Sequence, residues 1–303
     1  MRIGIVILNF NTKIEILDCL DSVFKLKKNG YEISVLVVDN ASSDGSAQAI
    51  SEKIPQVPLI ENSRNLGFSG GNNVGLKKEL EEDLCGILIL NPDTVVDSNL
   101  VLELVKSARS DPKIGIIGPK IYFYPGCEFH KDRYKKDDLG KVIWYAGGDI
   151  DWRNVLAPHR GVDEVDHGQY GKEEETDFVS GAAMFVKKEV FAKIGLFDER
   201  YFLYLEDLEF CQRAKLAGFK IVFAPNARVW HKNAASAHVG SDLQDYFITR
   251  NRLMFGLRYA PTRAKFALIR QAGSFLFGSN KIKKKAVLDF LTLNFGKGSF
   301  KIQ

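Results

Sequence analysis

Short apolar runs that stop at an asparagine or aspartate, with helix-spaced segments between them, restrict this 303-residue chain more than any other feature. Residues 3–8 are continuously apolar, as a strand buried on both faces requires, and Asn9 follows. Residues 14–27 carry Ile16, Leu17, Leu20, Val23 and Phe24 at helical spacing, with Thr12 and Glu15 spaced as a capping box. The alternation continues with strands at 33–38, 57–61, 86–90 and 114–117 and helices at 44–53, 71–80 and 98–109, the last capped by Asp97 or Ser98. Such alternation implies an α/β fold with a parallel sheet covered on both faces. The second half is less regular. Residues 122–177 are charged and aromatic, with a hairpin expected around Gly147 and Gly148. Strand-like alternation resumes over 176–186, a helix over 205–217 ends at Gly218, strands follow at 221–224 and 228–231, and a helix covers 242–257.

Ligands of such sheets bind beyond the carboxyl ends of the strands. The residues there are Asn9-Phe10-Asn11, Asp39-Asn40, Asn62 to Asn65, and Asn91-Pro92-Asp93. Asn and Asp form turns without any further role, but four polar clusters at four strand ends point to a ligand. The dinucleotide fingerprint, the P-loop and the nucleophile elbow are all absent, and Gly67, Gly70, Gly71 and Gly75 have the wrong spacing for the first of these.

Five segments, VVDNASSDGS (37–46), NLGFSGGNNVG (65–75), LNPDT (90–94), YLEDLEFCQRAKLAG (204–218) and VWH (229–231), together resemble family 2 glycosyltransferases, and most closely their rhamnosyltransferase-like branch. The resemblance runs in order from about residue 3 to about residue 259. It implies a GT-A fold: a Rossmann-like, nucleotide-binding mixed sheet flanked by helices, with a nucleotide-sugar half at 1–120 and an acceptor half at 121–260. It further implies an inverting, metal-dependent transfer from a nucleoside diphosphate sugar. Asp93, in an Asn-Pro-Asp turn where the family usually has two carboxylates, would hold Mg²⁺ or Mn²⁺ with His231, since such cations favour carboxylate, water and phosphate ligands. Asn91 is the departure from the two-carboxylate pattern, and it weakens the case for metal. Asp207 would be the general base that takes the acceptor proton, and Glu206 would orient the acceptor. Asp39 would accept a hydrogen bond from the nucleotide base, and Asn9 and Asn11 would lie under base and ribose. Asn65, Gly67, Gly71 and Asn72 would wrap ribose and diphosphate, the glycines permitting close backbone approach. Gly181 and Ala182 would line the acceptor channel. The expected donor is dTDP-rhamnose, then a UDP-hexose, and the expected acceptor a cell-surface or lipid-linked saccharide.

Two other functions share these features. A sugar nucleotidyltransferase uses similar chemistry, but it needs a Gly-rich basic loop where Asn9-Phe10-Asn11-Thr12 stands. A non-catalytic nucleotide-sugar-binding subunit rests on Asn91 alone.

The charge is asymmetric. Residues 261–303 hold nine of the 42 Lys/Arg and one of the 38 Asp/Glu, a net +8, so the remainder carries 33 against 37, a net −4. An acidic body argues against nucleic acid as a partner. The basic, amphipathic tail is expected to be helical and to dock on the inner face of an anionic membrane, or else to pack on the catalytic domain or form a homodimer contact. The first apolar run is only six residues long and lacks a cleavage site, so a strand rather than a signal peptide is expected. No run approaches the ~18 apolar residues of a membrane span. Cys19, Cys85, Cys127 and Cys211 have no metal-site spacing and are expected to be reduced thiols of a cytoplasmic chain.

Overall fold

The computed structural model describes residues 1–232 and 240–301, so the final two residues of the expected tail lie outside the described residues. The elements run in the order β1 (Arg2–Asn9), α1 (Lys13–Phe24), β2 (Glu32–Asp39), α2 (Ser46–Lys53), β3 (Leu59–Glu61), α3 (Gly67–Leu80), β4 (Gly86–Leu90), β5 (Thr94–Val96), α4 (Leu100–Ser110), β6 (Ile114–Phe123) and β7 (Ile143–Tyr145). They continue with β8 (Glu174–Glu175), β9 (Ala183–Lys187), α5 (Lys188–Ile194), α6 (Glu206–Leu216), β10 (Lys220–His231), α7 (Asp242–Tyr259), α8 (Thr262–Phe277) and α9 (Lys281–Leu291).

One mixed sheet has the order β3-β2-β1-β4-β9-β6-β10-β5, with β7 beside β6 and β8 beside β10. The first four strands are parallel, as the alternation requires. The sheet becomes mixed at β9, which runs antiparallel to both β4 and β6. Ile3, Ile5, Val6 and Ile7 of β1 are fully buried. At about 1.5–3 kcal/mol per side chain, a strand of this composition is driven to the centre of a sheet covered on both faces.

Several expected boundaries move. Residues 221–231 form one strand with a register shift between Ala224 and Arg228, rather than two strands. Helix α3 starts at Gly67, four residues early. The side chain of Thr12 makes no helix cap, because its hydroxyl donates to Asn9 Oδ1 instead. The α4 helix is preceded by Asn99, whose N–H binds the Asp97 carboxylate, so Asp97 shapes the turn before the helix rather than capping it. Gly147 and Gly148 do begin an antiparallel ladder, bridged at Gly148–His159 and Asp151–Leu156.

The tail is helical and packed. Ala264 and Leu268 of α8 and Ala286 and Val287 of α9 are buried, as are Tyr246 and Phe247 of α7. Asp289 receives hydrogen bonds from Tyr246, from Ser299 through both N–H and hydroxyl, and from Asn294. Among the described residues no disulfide joins two of the four cysteines. Among the described residues no helix is long and apolar enough to cross a membrane.

Candidate active site

The carboxyl ends of β1 and β2 are joined by a buried polar network. Asn9, with no exposed surface, donates to Asp39 Oδ1 at 2.8 Å and to Ser42 Oγ at 3.1 Å. Asp39 Oδ2 accepts from Ser42 N–H at 2.8 Å. Asn11, exposed and left-handed at φ 52°, accepts from Ser43 N–H at 2.7 Å while its own N–H binds Ser42 Oγ. The structure therefore makes Asn9 a strut between two strand-end turns and leaves Asn11 at the surface beside them. Asn40 plays a similar part and was given no role by sequence. It donates to Asn65 Oδ1 and to the Gly67 carbonyl, and accepts from Asn62 and from Leu66 N–H.

The glycines of α3 have a packing reason of their own. A Cβ on Gly71 would collide with Leu8 Cδ1, and one on Gly67 would lie 2.5 Å from the Phe202 carbonyl oxygen. Gly67 also has φ 75°, where only glycine sits without strain. Close approach here is of protein to protein. Asn72, on the same helix, donates to the Phe68 carbonyl, while its buried Oδ1 has no hydrogen-bond partner among the described residues.

A second group forms at the other end of the same strand edge. Asn91 N–H donates to the Ala182 carbonyl at 2.9 Å, so the Asn-Pro-Asp turn abuts Gly181 and Ala182. The short strand β5, which the sequence does not announce, pairs with β10 so that Thr94 opposes His231. This register sets Asp93 Oδ1 3.1 Å from His231 Nε2, both side chains being buried. Trp144 packs edge-on against His231, and His159 packs edge-on against Trp144. Burial pushes His159 down to about 4, so it is neutral at physiological pH and adds no charge there.

The third group is the start of α6. Asp207 Oδ2 accepts from Gly181 N–H at 2.9 Å and Oδ1 from Leu208 N–H at 2.8 Å. Burial raises the Asp207 carboxyl above its ordinary value despite those two donors. Glu206 is pushed well above the carboxylate range by burial and then by the Asp207 charge, and its Oε2 is buried with no hydrogen-bond partner among the described residues. A Cβ on Gly181 would lie 2.8 Å from the Phe68 ring and 3.6 Å from Asp207 Cβ. Phe68, inside the 65–75 segment but given no role of its own by sequence, thus borders the same spot.

A run of direct contacts consequently links Asp93, Asn91, Ala182, Gly181 and Asp207, with His231 against Asp93. Asn9, Asn11, Asp39 and Asn65 make up a neighbouring network on the first two strands. Among the described residues no cluster of three or more His, Cys, Asp or Glu could hold a metal by itself. Two donors 3.1 Å apart do match neighbouring ligands of one octahedral cation, which sit about 3 Å apart for bonds of about 2.1 Å. Magnesium-like ions take few protein ligands and complete their shell with water and substrate phosphates. The pair therefore fits such an ion. A cavity of about 680 Å³ lined by Met1, Cys85 and Lys187 is at the opposite, amino-terminal end of the parallel strands, where ligands of such sheets do not bind.

The family profile described as "Glycosyltransferase like family 2" matches residues 2–256. The chain is 28% identical over 212 residues to the N-acetylglucosaminyl-diphospho-decaprenol L-rhamnosyltransferase of Mycobacterium tuberculosis, covering 67% of this chain and 68% of that protein. It is 25% identical over 231 residues to the dTDP-rhamnosyl transferase RfbF of Shigella flexneri, covering 75% and 67% respectively. Among solved structures, GalNAc-T7 with UDP, GalNAc and Mn²⁺ superposes with a TM-score of 0.67 at 18% identity, over 96% of this chain and 54% of that one.

Proposed function

The chain belongs to glycosyltransferase family 2 and has its GT-A fold, and from that premise we propose that it is an inverting glycosyltransferase moving rhamnose from dTDP-rhamnose to a saccharide hydroxyl. The observation that carries the reading is the contact between Asp207 and Gly181, which are 26 residues apart, beside an Asn-Pro-Asp turn at a strand end. The printed names of the rhamnosyl relatives support the donor, and the decaprenol-linked relative supports a lipid-linked acceptor.

In this reading the acceptor oxygen attacks the anomeric carbon as the bond to the β-phosphate oxygen breaks, and that bonding pair leaves with the nucleoside diphosphate. Asp207 takes the hydroxyl proton, and burial makes it a stronger base than a solvated carboxylate. Gly181 and Leu208 hold both of its oxygens in place. Glu206, favoured in its protonated form, would donate to the acceptor. Asp93 and His231 would hold Mg²⁺ or Mn²⁺, which when bound supplies charge against the leaving diphosphate. Asp39 retains lone pairs for a base N–H. The unpartnered Asn72 Oδ1, on the helix that carries Phe68, suits a sugar or ribose hydroxyl.

The tail adds a partner. On α8, Phe266, Ile269 and Phe277 are exposed at 68%, 54% and 93%, and a 100° step per residue puts them on one side. Arg263 and Arg270 flank that side on one edge and Lys265 on the other. An apolar stripe between cations suits peripheral contact with an anionic bilayer, where a lipid-linked acceptor would lie.

The test is a panel of dTDP-, UDP- and GDP-sugars assayed for nucleotide release with Mg²⁺, Mn²⁺ or excess chelator. The proposal expects dTDP-rhamnose to lead, free nucleoside diphosphate as product, and activity lost in chelator and in Asp93→Ala. Pyrophosphate as the product would support the nucleotidyltransferase instead.

A further inference from the structure

Helix α6 begins in an unusual way. Three of the four residues before Glu206, namely Phe202, Tyr204 and Leu205, have positive φ of 57°, 68° and 67°. None is glycine, asparagine or aspartate, and each such residue costs on the order of 1–3 kcal/mol unless its surroundings over-determine it. Leu205 also stands at the helix N-cap with no side chain to cap it. The conformation that delivers Glu206 and Asp207 must therefore be held from outside.

The hold is visible in the carbonyls of this loop. Asn251 Nδ2, on α7, donates to the carbonyls of Tyr201, Leu203 and Tyr204 at 2.7, 2.8 and 2.8 Å. The Phe202 carbonyl points the other way and accepts from Phe68 N–H at 2.6 Å at the start of α3. Arg250 Nη2 reaches the Arg200 and Tyr201 carbonyls at 3.2 and 3.4 Å, and Arg250 Nε donates to Asn251 Oδ1 at 3.1 Å, fixing which way the amide faces. Asn251 and Arg250 have no exposed surface. An amide nitrogen has only two N–H bonds, so the three carbonyl oxygens that converge on it share them.

We propose that Asn251 is a positioning residue for the general base: by gathering the carbonyls of Tyr201, Leu203 and Tyr204 it holds the left-handed loop that aims Asp207 at the acceptor. The inference rests on the reading of Asp207 as the base. The Asn251 amide is bonded to the 201–204 loop and not to Asn9, Asp39, Asn40 or Asn65, so the proposal assigns its effect to the transfer step. Displacing a catalytic group by about 1 Å costs about 10²-fold in rate.

The experiment compares Asn251→Ala, Asn251→Gln and Asp207→Asn in the full-length protein, measuring kcat, the KM for each substrate, and dTDP-sugar binding by calorimetry. Asn251→Gln keeps the amide but moves it by one methylene. The expected result is a fall in kcat of about 10–100-fold for both Asn251 variants, with donor Kd unchanged within about twofold. If Asn251→Ala does not fold, Asn251→Gln alone decides. Wild-type kcat in a folded Asn251 variant, while Asp207→Asn is inactive, overturns the positioning role. So does a loss of donor binding in parallel with kcat, which marks a general structural role. Full activity of Asp207→Asn refutes instead the assignment of the base on which the inference rests.

Discussion

Glu206 and Asp207 are neighbours in sequence but not in chemistry. Asp207 accepts two backbone N–H bonds, whereas Glu206 is buried with an oxygen that has no partner among the described residues. Both carboxyls are raised by burial. Their roles follow different signs. In the proposed role Asp207 acts as base only when ionised, so with its pKa above the ordinary 3.8 the acid limb of kcat/KM should lie above that value, and a pH–rate profile checks it. Around Asp207 the ionisable groups are Glu206, Cys211 and Tyr145, and none of them offers it a cation. Glu206 binds its proton more tightly folded than unfolded, so it costs stability above its unfolded pKa, and that cost fades as the pH falls. Glu206→Gln should therefore unfold later than wild type at pH 8, by about 1 kcal/mol or more, with the gain shrinking toward acid pH; equal or lower stability at pH 8 contradicts this. The candidate carboxylates were legible because each follows or opens an element recognisable by periodicity. Asn251 was not, since a polar residue on a helix gives no sign of what its amide will face 47 residues away. The hint was its place beside Arg250 between the apolar Tyr246-Phe247 and Leu253 of one helix.

At the scale of elements, the parallel strands were readable because continuous apolar runs have one good destination. Strand β5 was not, since three residues carry no period and are fixed by pairing with β10. The α3 glycines have a packing role that their sequence did not announce. They let the helix press on Leu8 and on the loop 201–205, contacts that join segments far apart in sequence. Gly67→Ala should destabilise the fold by about 1–3 kcal/mol, because the methyl meets the Phe202 carbonyl at 2.5 Å and the residue must keep φ 75°. Chemical denaturation measures this, and a midpoint like wild type would mean that α3 can shift without cost.

For the whole molecule, the tail packs on the catalytic body, and the membrane contact belongs to the proposal. One face packs on α7 through Leu268, Val287 and Asp289, and the other carries exposed Phe266, Ile269 and Phe277 among cations. Composition indicated the charge asymmetry but could not assign faces before α7 was placed. Removing the tail would strip buried surface from α7, so the proper probe is Phe266→Ser/Ile269→Ser/Phe277→Ser. The intact protein should float with anionic vesicles in a salt-sensitive manner, at ~1 kcal/mol per surface cation, and the triple variant should not, with unchanged melting. Equal flotation of both would refute a membrane-facing α8. The account as a whole rests on displacement at the anomeric carbon assisted by Asp207. It is tested most directly by determining the anomeric configuration of the transferred sugar by NMR, with wild type and Asp207→Asn run side by side. The account predicts inverted configuration, release of nucleoside diphosphate, and a rate lower by ~10²–10⁴ in the variant; retained configuration, or a variant as fast as wild type, would contradict it.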